Sequence, residues 1–282
     1  MHNNRIIKKI TVFILTFMLI FSVNLFGCTK PSFNEEAGYF IGLFDPNKME
    51  VSVNGLTDLG KQQEILIIPE EINGYKVKYI CTPNAGQIDE KYGEGHGYFS
   101  SKNLKRLYMP YSPLETVGYV TSPNSVFWGE TKIEAFVAME LGSNAMRDWY
   151  NSYLRIPLNK FSIEKESSSE IIVTVEQDGR IPNILPANVS YLYNYEGAPN
   201  DGYYWVDDYD GELISYIPKD PTRVGYTFAG WYKEPECLNK WNFEVDVIPE
   251  KDITERSCTG ETYYKHVYEY KETRLFAMWV EK

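Results

Sequence analysis

The stretch VGYTFAGWYKEPECLNKW, Val224 to Trp241, narrows the folds open to this chain more than any other. Glycines are spaced among large aromatic rings, a composition suited to a pleated, half-buried surface. Gly225 and Gly230 permit a tight turn or a close backbone approach. The same composition begins near residue 185. In VSYLYNY, Val189, Tyr191, Tyr193 and Tyr195 alternate as on a strand, with Leu192 the exception. A turn is expected at Asn200–Gly202, and TRLFAMWVE reads as a last strand. A domain of this size needs side chains as large as Trp231, Trp241 and Trp279 to bury enough surface. Core packing is therefore the first reading of these rings, and a binding surface the second.

The N-terminal half is punctuated differently. In EILIIPEEINGYKVKYI, Ile65–Ile68 is a short apolar strand ended by Pro69, which cannot donate to a ladder. Asn73-Gly74 signals a two-residue hairpin turn. Tyr75, Val77 and Tyr79 then alternate with Lys76 and Lys78. A related unit returns in NLKRLYMP with Leu104, Leu107 and Met109, and again in KIEAFVAMELGS with Ile133, Phe136 and Ala138. The last two units lie 29 residues apart, and 41 residues separate Ile68-Pro69 from Met109-Pro110. Units of this kind cannot bury a face alone and must stack.

These residues resemble the BspA-like class of bacterial leucine-rich repeats over about residues 51–141. The resemblance implies a truncated, irregular β-solenoid. The GYTFAGWY segment resembles the internalin-type B repeat, also called the Listeria–Bacteroides repeat, over about residues 187–280. The matching positions are Pro221, Gly225, Tyr226, Phe228, Gly230, Trp231, Tyr232, Cys237, Trp241, Phe243 and Trp279. That resemblance implies a small β-grasp-like sheet with a short helix. The expected fold is mainly β with short helices, divided into a signal peptide (1–27), a tether (28–40), a degenerate repeat domain (41–155), connector strands (156–184) and a B-repeat-like domain (185–282). Residues 81–100 are expected as a surface loop and SNAMRDWYNSYL as a capping helix. The run ERSCTGETYYKHVYEYKE is expected to lengthen the loop or hairpin before the last strand.

The N-terminus carries a basic flank (Arg5, Lys8, Lys9) and an apolar run of 18 residues from Ile10 to Gly27, then Cys28. This reads as a secretory signal. Leu25-Phe26-Gly27-Cys28 resembles a bacterial lipobox, which implies cleavage before Cys28, a diacylglyceryl group on its sulfur, and a place on the extracytoplasmic face of the cell membrane. A plain transmembrane anchor is the alternative. Cleavage removes three cations and no acid, taking the net charge from −11 to −14. Such a body is a poor partner for nucleic acid or for anionic lipid headgroups.

Catalytic patterns are missing. His96 lies in a glycine-rich run and His266 between strand-like residues, neither at a known spacing from a nucleophile. No catalysis, cofactor or metal is expected. Asp207, Asp208 and Asp210 are expected in a solvated acidic turn, with calcium the alternative, although the EF-hand register is not met. Cys81, Cys237 and Cys258 form no complete disulfide framework; free thiols are expected, with a Cys237–Cys258 pair the alternative. Tyr203, Tyr204 and Trp205 are the candidate ligand contacts, for stacking on a sugar or anchoring a protein. The functional expectation is a lipid-anchored cell-surface interaction protein for adhesion or recognition. The alternative is a structural spacer or accessory subunit of an envelope assembly.

Overall fold

The computed structural model describes residues 35–282 apart from 81–87, 89, 92–95, 97–98, 100, 110–115, 118–130, 141–153, 167–170, 178–183, 253 and 259–263. The SNAMRDWYNSYL segment lies almost wholly outside the described residues. The protein is mainly β, with few and short helices.

The first sheet contains β1 (Glu35–Ala37), β2 (Phe40–Asp45), β3 (Glu50–Leu56), β5 (Glu71–Ile72), β6 (Tyr75–Ile80) and β8 (Thr116–Val117). Strands begin at residue 35, inside the stretch expected as a tether (28–40). The Asn73-Gly74 turn forms as expected: both residues have positive φ, at 53° and 83°, and Ile72 pairs with Tyr75. Tyr75 and Val77 point into the core. A bulge at Lys78 then turns Ile80 inward, which breaks the simple alternation read from YKVKYI. Helix α1 (Asp58–Lys61) is capped by Thr57, whose hydroxyl accepts from the Gly60 amide at 3.1 Å. In the expected surface loop, Ile88 and Phe99 are instead fully buried, and Phe99 stacks 6.4 Å from Phe40.

The second sheet is wholly parallel: β4 (Ile65–Ile67), β7 (Arg106–Met109), β9 (Ala135–Ala138), β10 (Leu154–Ile156) and β13 (Ile184–Pro186), stacked in chain order. Leu66 pairs with Leu107, and Leu107 with Phe136, so the offsets of 41 and 29 residues read from the sequence are the strand registers. The last two rungs lie in stretches expected to contain a capping helix and a connector.

Both faces of this ladder are buried. Leu66, Leu107, Met109, Phe136, Ala138, Leu154, Ile156 and Ile184 join the core under the first sheet. Tyr108, Ala135, Val137 and Met139, from the alternate positions, join the core of the C-terminal unit. Strands such as Ala-Phe-Val-Ala are apolar on both sides because each side meets another layer.

The third sheet brings two separate segments together. It joins β11 (Ser162–Glu166) and β12 (Ile171–Gln177), from the connector, to β17 (Thr254–Cys258) and β18 (Tyr264–Tyr270), from the C-terminal insertion. The insertion makes a hairpin before the last strand, and that hairpin pairs with the connector strand β12. Val173 and Tyr270 sit in its small core, and the Tyr270 hydroxyl donates to the Pro186 carbonyl at 2.9 Å.

The fourth sheet has the order β15 (Tyr203–Asp207), β14 (Val189–Leu192), β19 (Thr273–Glu281), β16 (Tyr226–Tyr232). The central pair β14–β19 is parallel and both outer pairings are antiparallel. Gly230 sits at a bulge in β16 with φ 122°, and a Cβ there would meet Lys240 Cε at 2.6 Å. The positive φ demands glycine, whereas the Lys240 side chain could swing aside.

Candidate functional site

Two places in the C-terminal unit concentrate chemistry: a buried charge network against the parallel ladder, and a ring of aromatic side chains at the other end of the same sheet.

The charge network contains the acidic run. Asp207 and Asp208 are not in a solvated turn; they are buried at 0% and 3% exposure. Arg106, itself buried, places Nη1 2.9 Å from Asp207 Oδ1 and 3.0 Å from the Asp208 carbonyl. The Tyr108 hydroxyl donates to Asp207 Oδ2 at 2.7 Å, and the Asp208 amide donates to Oδ1 at 2.8 Å. Arg155 Nε and Lys251 Nζ lie 3.1 Å and 2.7 Å from Asp208 Oδ2. Glu212 accepts from Arg106 Nη2 at 3.3 Å, and the guanidinium carbon lies 3.8 Å from the Tyr209 ring centre.

Burial pushes Asp207 up to about 6, against the pull of Arg106, Tyr108 and the Asp208 amide toward the charged form. Burial works against the Arg106 charge, yet Asp207 and the neighbouring tyrosines hold it above its ordinary value. Tyr108 is raised, first by burial and then by Asp207. This is a paired core network, and its carboxylate oxygens are spent on protein cations and neutral donors. Asp210 remains exposed, and its Oδ1 accepts from the Lys251 amide at 2.8 Å. Among the described residues, no cluster of His, Cys, Asp or Glu has the geometry to hold a metal ion.

Of the three aromatic ligand candidates, Trp205 is withdrawn from solvent. It is 4% exposed and packs 5.0 Å from Tyr108, with Tyr216 5.7 Å away. Tyr203 is half-buried, and burial, then Glu272, pushes it up to about 12. Tyr204 is half-buried too, and its hydroxyl donates to the Lys219 carbonyl.

Tyr204 belongs to a larger assembly. Six rings close on one another: Tyr193–Tyr195 at 5.7 Å between centres, Tyr195–Trp279 at 5.9 Å, Trp279–Phe228 at 5.8 Å, Phe228–Trp231 at 5.1 Å, Trp231–Tyr204 at 5.8 Å and Tyr204–Tyr193 at 5.3 Å. Trp231, 2% exposed, is the floor, and the other five rings are half-buried. Trp279 Nε1 donates to the Tyr193 carbonyl at 2.6 Å, which fixes one wall. Arg223 lies across the rim. Its guanidinium carbon is 3.7 Å from the Tyr226 centroid, 4.3 Å from Tyr195 and 6.0 Å from Trp279. Gly225, with φ 81°, makes the turn that places Arg223 and Tyr226 together.

The sequence marks Tyr226, Phe228, Trp231 and Trp279 as a structural signature, with Tyr232 and Trp241. Trp231 and Trp241 are core as expected, whereas Trp279 remains half-exposed. Sequence reasoning missed Tyr193, Tyr195 and Arg223 as site residues. The alternation of Tyr191, Tyr193 and Tyr195 was their only signal, and it continues beyond the end of β14.

The other candidates form no site. His96 faces protein, not solvent: Nε2 is 2.9 Å from Asp58 and Nδ1 is 3.0 Å from Lys61. His266 lies on β18. Cys237 is a free thiol whose Sγ sits 3.5 Å from the Asn194 amide nitrogen. Cys28 lies outside the described residues.

Residues 193–254 match the Listeria-Bacteroides repeat domain family. The chain contains a Listeria-Bacteroides repeat. The matched segment covers much of the aromatic ring but stops before β19, which supplies Trp279. The chain is also similar to Internalin H of Listeria monocytogenes serovar 1/2a (strain ATCC BAA-679 / EGD-e), 38% identical over 91 residues. That alignment covers 24% of this chain and 17% of the relative, so the chain spans less than a fifth of the relative's length.

Proposed function

We propose that this is a lipid-anchored bacterial surface protein that recognises a protein or glycan through the aromatic ring of its C-terminal sheet, without catalysis. One observation carries the reading: five half-exposed aromatic rings are held in a closed, rigid arrangement over a tryptophan floor. Rigid aromatic side chains supply contact area at small entropic cost and are enriched where binding energy concentrates. The repeat and the internalin similarity support a surface-interaction role.

The finer fold belongs to the same reading. The parallel rungs form a truncated leucine-rich solenoid. The fourth sheet, with its parallel central pair and antiparallel flanks, has a β-grasp-like order. Cys28 is the anchor. Only six residues separate it from β1, a reach of about 20 Å. The body therefore sits close to the membrane, with no need for a membrane-binding surface of its own.

The shared core between ladder and C-terminal unit favours a second reading, a rigid spacer in an envelope assembly. Two experiments separate these claims. Cys28→Ala should move the protein from the membrane fraction to the secreted fraction; retention in the membrane would end the lipoprotein reading. The detergent-purified full chain should bind saturably to at least one member of a panel of glycans, mucins, matrix proteins and cell-wall fragments, and Tyr195→Ala with Tyr204→Ala should weaken that binding while the fold persists. Silence across the panel would leave the spacer.

A further inference from the structure

Resting on that recognition reading, we infer that the aromatic ring and Arg223 together select a saccharide bearing a carboxylate, such as a uronic acid.

The argument begins with the arginines. Arg106, Arg155 and Arg274 each pair with a carboxylate within the protein. Arg223 has no carboxylate within ion-pair distance among the described residues; its contacts are ring faces. The guanidinium carbon lies 4.3 and 3.7 Å from the ring centres of Tyr195 and Tyr226, which hold the group in place, while its N–H groups make no hydrogen bond among the described residues. A planar guanidinium held this way is preorganised to donate two parallel hydrogen bonds to a carboxylate. The chain as a whole is acidic, at −11, so attraction for an anion here is local to this rim, with no broad basic field behind it.

The neighbouring surface defines the rest of the ligand. Trp231 is sealed beneath the ring assembly. The half-exposed Trp279 ring stands nearly perpendicular to Tyr195, with 5.9 Å between centres, and offers a surface on which the C–H face of a pyranose can lie. The hydroxyls of Tyr195 and Tyr226 have no hydrogen-bond partner among the described residues and stand beside Arg223, where a polyhydroxylated ring can meet them. An apolar platform, polar tips and one oriented guanidinium at the rim together fit an acidic sugar better than a neutral one or an acidic peptide.

The test uses the detergent-purified full chain on immobilised polygalacturonate and hyaluronan, on the carboxyl-reduced form of each, and on polyglutamate. At least one acidic polysaccharide should bind saturably, and its carboxyl-reduced form should bind roughly tenfold more weakly or worse. Arg223→Gln should abolish the preference for the acidic form while the chain stays folded, with only a small fall in thermal midpoint from the lost ring contacts. Arg223→Lys should restore only part of it, since an ammonium cannot form the fork. Equal binding to acidic and reduced polymers would overturn the inference; if Tyr195→Ala still abolished that binding, the recognition reading would stand without acid selection. Binding to polyglutamate alone, no binding to either acidic polysaccharide, or an acid preference that survives Arg223→Gln would each overturn it.

Discussion

One face of the C-terminal sheet carries aromatic rings at both ends, and the two ends have opposite surroundings. At the β15 end, Trp205 meets Tyr108 and Tyr216 and is sealed by the parallel ladder. At the β16 end, Phe228 and Trp279 keep part of their surface free. Residue type does not separate the two groups, since both are built of Tyr and Trp. The difference is what lies opposite. Alternate positions of β7 and β9 carry Tyr108, Ala135 and Val137, which give the ladder an apolar outer face to dock on. Nothing equivalent covers the five upper rings among the described residues. An aromatic cluster therefore becomes a core or a contact surface according to its neighbours in space.

The comparison can be broken most forcefully at Arg106. Arg106→Ala would leave Asp207 buried without its cation, and the loss should be about 3–5 kcal/mol in urea unfolding. A loss below about 1 kcal/mol would mean that the junction is not held as described. Next come the two tryptophans. Trp205→Ala should cost about 3–5 kcal/mol, and Trp279→Ala about half as much, because only part of its ring is buried. Equal costs would erase the distinction between sealed and open ends.

A pH series sharpens the junction side. Asp207 is raised to about 6 from an ordinary value of 3.8, so the folded chain holds its proton more tightly than the unfolded chain does. Its contribution to stability is present in full below about 4 and is lost as pH rises through about 6. Measured against Asp207→Asn, the wild type should lose roughly 3 kcal/mol of relative stability across that window. A flat difference would show that Asp207 is unshifted by folding, and one of opposite sign that the fold keeps it ionised. The smallest effect belongs to the open end. Tyr195→Ala should cost only about 0.5–1 kcal/mol, chiefly its contact with Arg223, while weakening ligand binding far more. A large loss of stability would place Tyr195 in the core instead.

Much of the first unit was legible before any coordinates. Asn73-Gly74 predicted a hairpin turn and made one. Leu107 and Phe136, 29 residues apart, are register partners. Both signals are local: a turn needs two residues of suitable φ, and a rung needs apolar side chains at alternate positions. The rungs at Leu154–Ile156 and Ile184–Pro186 were not legible, because Asn151 stands where the units at Leu104 and Ile133 begin with an apolar residue, and Pro186 stands where those units carry Met109 and Ala138.

The site was only half legible. Phe228, Trp231 and Trp279 stood out as large rings at signature positions, yet their spacing could not say that Trp231 would become the floor and Trp279 a wall. The acidic run misled outright. Asp207 and Asp208 sit in a chain segment that looks solvated, and their burial depends on Arg106, 101 residues earlier, and Arg155. Sequence alone determined strand character, turns and the repeat, because these follow from backbone preferences and side-chain volume within a few residues. Tertiary structure alone decided which charges were paired and which rings stayed open, because burial is a property of the surface that arrives opposite, and here that surface comes from a distant part of the chain.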